Sequence, residues 1–187
     1  YIPGTDPVWI DSTTRFSRAG QLPVGDQGRW ALIVKPDTTA LIQTPELPTR
    51  TVETQEISLP EAGFGRVLAT REFFGTSELA TRIVQSQQKP EQTEKVLASL
   101  YSAKTIRNLE LSDVTDFSSP YRMRFEIVDS KLAQTPGGEA VFFFPTKPAD
   151  SVLSRLAAID DKVAASGRDL GRITVQEWQY RIIPPPG

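Results

Sequence analysis

The sequence predicts an α+β fold, a largely antiparallel β-sheet with two or three helices packed on one face. Three observations predict it. Segments of period two come in consecutive runs, "RTVETQEISL" followed by "GRVLATREFFG". Segments of helical period also come in runs, "TSELATRIVQSQQ" followed by "KPEQTEKVLASLYSA". Finally, "YRMRFEIV" alternates cleanly, as a strand with one wet face must.

Taken in order, "PVWIDST" at 7–13 reads as a short strand running into a polar turn, because Asp11, Ser12, Thr13 and Thr14 can each bond neighbouring backbone N–H groups. "RWALIVKPD" at 29–37 is near-continuously apolar, which predicts a strand central in a sheet. "TTALIQTP" at 38–45 follows a "KPD" break, so the two predict a hairpin. "TPELPTR" at 44–50 holds two prolines and no periodicity, which places a domain boundary near 45–50. Residues 1–46 and 47–187 are accordingly read as separate units.

Beyond that boundary, "PEAGFG" joins two alternating strands into a hairpin. The period then changes to that of a helix over 76–88, with Ser77 as cap and Leu79, Ile83 and Val84 on one face. A second helix over 89–103 starts at Pro90 and carries Val96, Leu97, Leu100 and Tyr101 on one stripe; the alternative is a single helix broken at Pro90. "TIRNLELSDV" predicts a strand. In 121–128, Tyr121, Met123, Phe125 and Ile127 face one way, with Arg122, Arg124 and Glu126 opposite. "TPGGEA" turns the chain into "AVFFFP", predicted to pair back on 121–128. A helix is expected over 149–167, capped by Asp150 and ended by Gly167. The last strand, "RITVQEWQYRII", shifts phase near Gln176–Glu177, which predicts a bulge.

Composition narrows the function. The 187 residues include no cysteine and no histidine. That removes disulfides, a thiolate nucleophile, an imidazole base and the two commonest zinc ligands. The chain taken alone is therefore not expected to be an enzyme, and no cofactor or metal is expected. A net charge of −2 supplies no basic field for nucleic acid. The longest apolar runs are strand-sized, so no membrane span is expected. The chain opens on Tyr1 with no methionine ahead of it, which suggests that a working part lies upstream.

Two stretches bear on what that part is: Trp9-Ile10-Asp11-Ser12-Thr13, and Leu22-Pro23 followed by Asp26-Gln27-Gly28-Arg29-Trp30-Ala31-Leu32. Together they resemble the end of the core in bacterial transglutaminase-like proteins, whose core is flanked by N- and C-terminal domains of unknown function. The remainder, with "SDVTDFSSPYRMRFEI" and a final Trp/Tyr strand ending in Pro-Gly, is similar in pattern to the C-terminal domain of that family. The resemblance implies that Asp11 is the third member of a Cys-His-Asp triad. In such a triad a carboxylate accepts the imidazole N–H, fixing its tautomer and stabilising the imidazolium. The family has Pro where Ser12 stands, and its Cys and His would lie upstream of this chain. The resemblance implies a non-catalytic accessory region, with the upstream core as partner, possible positioning of a protein or peptide substrate, and export or a periplasmic location.

Ordinary readings stand beside these. Asp11 is also a common turn former at a strand end. The Gly63–Gly65 segment and Gly137-Gly138 read as hairpin turns, because neither is followed by a phosphate-loop Lys-Ser/Thr. Asp160-Asp161 would diverge by about 100° on a helix and hold no metal. Arg122 and Arg124 suit a solvated sheet face, and Trp9, Trp30, Trp178 and Tyr180 suit a core. Two rival functions remain: an independent peptide- or glycan-binding β-rich module, and a cysteine-free enzyme working with paired carboxylates.

Overall fold

A computed structural model of the chain describes residues 1–35, 38–129, 131–137, 139–143 and 174–185. The helix expected over 149–167, Gly138 and the Asp160-Asp161 pair lie outside the described residues. After an irregular opening and a single 3-10 turn at Val24–Asp26 come β1 (Trp30–Lys35) and β2 (Thr38–Gln43). They form an antiparallel ribbon in which Leu32 faces Leu41. Next are β3 (Thr49–Ser58), β4 (Gly63–Phe64) and β5 (Arg66–Gly75), then α1 (Thr76–Gln87) and α2 (Pro90–Leu100). The chain continues as β6 (Thr105–Leu111), β7 (Tyr121–Val128), β8 (Ala133–Thr135), β9 (Val141–Phe142) and β10 (Thr174–Ile183).

The main sheet runs β10-β3-β5-β7-β6, antiparallel except for the parallel pair β10-β3. The α+β class is as the sequence predicts. Both helices lie over one sheet face, α1 against β5 and β3, α2 against β6. That face buries Val67, Ala69, Phe125 and Ile127 completely, with Leu97 and Tyr101 of α2 packed above. Each large apolar side chain so buried contributes about 1.5–3 kcal/mol. The opposite face is wet and laced by ion pairs. Arg50 meets Glu177 at 2.6 Å and Arg181 meets Glu56 at 3.0 Å, both linking β3 to β10, while Arg66 meets Glu126 at 2.8 Å. Arg122 and Arg124 lie exposed on β7, and Arg124 pairs with Glu110 at 3.7 Å.

Local chemistry explains the element ends. Gly75 (φ +60°) turns β5 directly into α1. A Cβ there would stand 2.0 Å from the Pro48 carbonyl oxygen. The helices separate at Gln88–Lys89, both extended, as the residue before a proline prefers. The Lys89 N–H donates to Gln92 Oε1 at 3.0 Å, closing the start of α2.

Several expectations need correction. Strand β1 is not central: among the described residues it pairs with β2 alone. Its continuous apolar run buries Ile33 on one side but leaves Trp30, Leu32 and Val34 at 67%, 62% and 72% exposure on the other. Trp178 is likewise exposed on β10, so neither it nor Trp30 is a core residue. Near 7–13 the only pairing is an isolated bridge between Ile2 and Val8, and the polar turn follows. Ser77 does not cap α1; its hydroxyl donates to the Arg50 and Phe74 carbonyls at 2.7 and 2.9 Å. On α1 the buried set is Glu78, Leu79 and Arg82, while Ile83 and Val84 are exposed; on α2, Val96 and Leu100 are exposed.

Val141-Phe142 pairs with Ala133-Gln134 in a small separate sheet that includes β4, not with β7. Strand β10 has no bulge; its register with β3 is unbroken from Thr174 to Ile183. The apparent slip arises because Val175 lies on the outer face, out of phase with Tyr180, which packs on the core. The bulge sits instead in β6, between Arg107 and Glu110, where Asn108 takes φ +52°.

Candidate functional site

Asp11 sits at a tight turn within the amino-terminal segment. Its Oδ1 accepts the Thr13 N–H at 2.9 Å and the Thr13 hydroxyl at 2.7 Å, and its Oδ2 accepts the Thr14 hydroxyl. The hydrogen bonds from Thr14 and Thr13 favour the charged form and hold the carboxyl below the usual carboxylate range. A carboxylate offers about four acceptor positions. Three are occupied by these bonds.

Two further aspartates adopt the same local geometry. Asp113 Oδ1 accepts both the N–H and the hydroxyl of Thr115 at 2.7 Å, and Asp116 Oδ1 accepts the Ser118 N–H at 2.9 Å. The turn is therefore an ordinary Asx device. What sets Asp11 apart is the hydroxyl on its second oxygen; residues of the Asp11 and Asp113 turns line one shared cleft. Thr13, Thr14 and Phe16 form one wall of an open cleft of 560 Å³, Ile83 and Ser86 of α1 a second, and Val114 with Thr115 a third.

The sequence reading missed the contacts that fix this segment. Arg18, seven residues beyond Asp11, reaches across to α1. Its Nε donates to Glu78 Oε2 at 3.0 Å and its Nη2 to Glu78 Oε1 at 2.8 Å. The same guanidinium donates to the carbonyls of Phe117 and Ser119. Glu78 also accepts from Arg82 Nε and Nη2 at 3.0 and 2.8 Å and from the Tyr121 N–H at 3.2 Å. Arg82 is fully buried, and its Nη1 donates to the Asp113 and Val114 carbonyls at 3.0 and 2.9 Å. The Phe117 ring lies under both guanidinium groups, 5.7 Å from that of Arg18 and 4.7 Å from that of Arg82. Burial alone would raise the Glu78 carboxyl, but hydrogen bonds and charge from Arg18 and then Arg82 outweigh it, so the group is held below the usual range.

Gln27 is a second tie. It is 2% exposed; its Nε2 donates to the Leu22 carbonyl at 2.5 Å and the Thr76 hydroxyl at 3.3 Å, while its Oε1 accepts the Leu47 N–H at 3.0 Å. One side chain thus joins the amino-terminal segment, the 44–48 connection and the start of α1. The only sequence signal for these ties was the i,i+4 spacing of Glu78 and Arg82, which ordinarily marks a solvated helix face.

Other candidates resolve differently. Trp9 packs against Tyr1, ring centroids 4.9 Å apart, and is half-buried. The buried carboxylates Glu53 and Glu78 are each held by arginine, Glu53 by Arg71 at 3.4 Å, so neither is placed as a free acid or base. Among the described residues no three acidic side chains gather to hold a metal ion, and no helix is long and apolar enough to cross a membrane. Against this geometry, comparison with protein-family models, with characterised proteins and with solved structures found no match for the chain.

Proposed function

We propose that this chain is the accessory region of a transglutaminase-like cysteine enzyme, with Asp11 the carboxylate that orients an imidazole supplied by the upstream core. One observation carries the reading: the open face of the β1-β2 ribbon. Trp30, Leu32, Val34 and Leu41 line that face, each more than 60% exposed, while Ile33 on the other side is buried. A ribbon this apolar on its free side needs a partner surface. The ribbon begins at Trp30, after the segment that holds Asp11, and on this reading the core that covers the ribbon also reaches the carboxylate. The acceptor position left on Asp11 suits an imidazole N–H, and its lowered proton affinity keeps it ionised, as that role requires. The region's own part is to hold the Asp11 turn in place and to support the core, with the adjoining cleft available to a protein or peptide substrate.

The test is to express the chain with the sequence its gene encodes ahead of Tyr1 and to assay amide hydrolysis and amine exchange on glutamine-containing peptides. Asp11→Ala should lower kcat/KM by about 10³–10⁴-fold. Asp113→Ala removes the equivalent carboxylate of the second turn beside the same cleft and should change it less than about twofold. Equal effects of the two substitutions would remove Asp11 from catalysis. A second reading, a module for peptides or glycans, draws on the exposed Trp30 ring. Saturable binding of such a ligand by this chain alone, abolished by Trp30→Ala, would favour it instead.

A further inference from the structure

The two edges of the main sheet are built differently. Strand β6 forms one, and the bulge between Arg107 and Glu110, with Asn108 at φ +52°, bends it and spoils it for further pairing. Strand β10 forms the other. It pairs with β3 in unbroken register from Thr174 to Ile183 and, among the described residues, with nothing on its far side. It contains no proline and no bulge, and Val175, Trp178 and Ile182 are exposed along it. A long, regular edge with open N–H and C=O groups is a template for another strand.

The side chains of β10 select that strand. Its two charged residues, Glu177 and Arg181, both lie on the outer face, where they meet Arg50 and Glu56 of β3 at 2.6 and 3.0 Å. Residues opposed across an antiparallel pair point to the same face, so a two-fold pairing of β10 with itself must place a residue on the axis. An axis at Gln179 sets Glu177 of each copy against Arg181 of the other, a favourable cross-strand pair. Axes at Glu177 or Arg181 would set like charges face to face. Axes at Trp178 or Tyr180 would leave neither charge opposite its counterpart. With the axis at Gln179, the inner face brings Trp178 opposite Tyr180, an aromatic pair. Charge then alternates across the outer face, from Arg50 to Glu177 and on to Arg181 and Glu56 of the second copy. The prolines that follow Ile183 have no N–H to give and stop the pairing at each end.

We infer that two copies of this chain pair antiparallel along 175–183 of β10, about a two-fold axis at Gln179, and join their five-stranded sheets into one. Main-chain hydrogen bonds supply the attraction, and the Glu177–Arg181 pairs fix the register. This inference stands apart from the transglutaminase-like reading, since it uses neither Asp11 nor the ribbon.

The test is analytical ultracentrifugation of the purified chain from about 5 to about 500 μM, which should show a monomer–dimer equilibrium. Glu177→Arg alone and Arg181→Glu alone each set like charges face to face twice in the dimer. Each should raise the dissociation constant by at least about tenfold. The fold tolerates both, because the pairs they break with β3 are exposed, and circular dichroism checks this. An equimolar mixture of the two variants should associate again, since every charge then faces its opposite; local damage to the strand would not be repaired by mixing. The chain has no cysteine, so Gln179→Cys offers a single thiol at the axis, and dibromobimane should link two copies there. Gln176→Cys lies about 20 Å from its twin in this register and should not be linked. A chain that stays monomeric throughout overturns the inference and leaves the edge to a strand from another protein. So does a dimer that survives both reversals, a mixture that fails to associate, or linkage at 176 as ready as at 179.

Discussion

Replacing Glu78 by glutamine offers the sharpest test of how the amino-terminal segment is held to the sheet. The carboxylate accepts hydrogen bonds from Arg18, Arg82 and the Tyr121 backbone, and Arg82 is completely buried. Without the Glu78 charge, buried Arg82 faces no anion and keeps the neutral carbonyls of Asp113, Val114 and Ser119. Breaking a buried ion pair on one side costs about 3–5 kcal/mol. Glutamine retains one acceptor oxygen, so the lower end applies, about 3 kcal/mol. Arg18 is a quarter exposed at its side chain and adds no more than about 1 kcal/mol. At about 2–4 °C per kcal/mol for a domain of this size, a loss of about 3–4 kcal/mol should lower Tm by about 6–16 °C. Circular dichroism during thermal and urea unfolding at pH 7 reads the change. Combining Glu78→Gln with Arg82→Met should cost less than the sum of the single changes, because no lone charge stays buried. The pH dependence has a definite sign. The folded carboxyl lies below its ordinary value of 4.5, so its stabilisation is full above that value and lost as pH falls through the lower folded one. The gap between wild type and variant should hold from pH 8 to about 5 and close below 4.5. A loss under about 1 kcal/mol, or a gap unchanged at pH 3, would refute the reasoning.

Three further outcomes follow from particular backbone and surface positions. Gly75→Ala places a Cβ 2.0 Å from the Pro48 carbonyl at φ +60°, so urea unfolding should show a loss of at least about 2 kcal/mol. Gly63→Ala, at φ +98° with nothing within 4 Å, should cost only the backbone strain, about 1–2 kcal/mol. Leu32→Lys should leave the stability of this chain within about 0.5 kcal/mol, since the side chain is 62% exposed. In the polypeptide extended upstream, the same change should cost about 2 kcal/mol or more by burying a lysine; equal effects in both would take the core off the ribbon.

The parts of the fold legible in the sequence are those where apolar spacing alone decides the outcome. Strand β7 shows this best: Tyr121, Met123, Phe125 and Ile127 are all buried and their neighbours are not. The β3-β5 hairpin and the break between the helices at Pro90 were readable for similarly local reasons. The failures share a cause. A run such as "WALIV" does not say which of its faces will be covered, because that depends on what packs against it. The partner of β10 is β3, more than a hundred residues earlier and parallel, and no local pattern encodes that choice. Polar residues inside were the other blind spot. Glu53, Gln55, Glu78 and Arg82 are buried, yet by hydrophobicity each belongs outside.

Asp11 was legible as a turn former, and its turn has the expected bonds. The means of its positioning was not, because Arg18 and Glu78 lie 60 residues apart and their match is geometric. That match has a physical consequence. An apolar contact between the amino-terminal segment and α1 would tolerate sliding, since burial has no direction. A guanidinium whose donors go to one carboxylate and two fixed carbonyls does not slide, because any shift breaks several charge-assisted bonds together. Gln27 repeats the arrangement at the other end of the segment, with bonds to Leu22, Thr76 and Leu47. Two directional ties bracket the approach to the ribbon and hold it to one helix. If the region presents a carboxylate at a fixed place, as proposed, it needs such ties more than it needs a larger apolar interface.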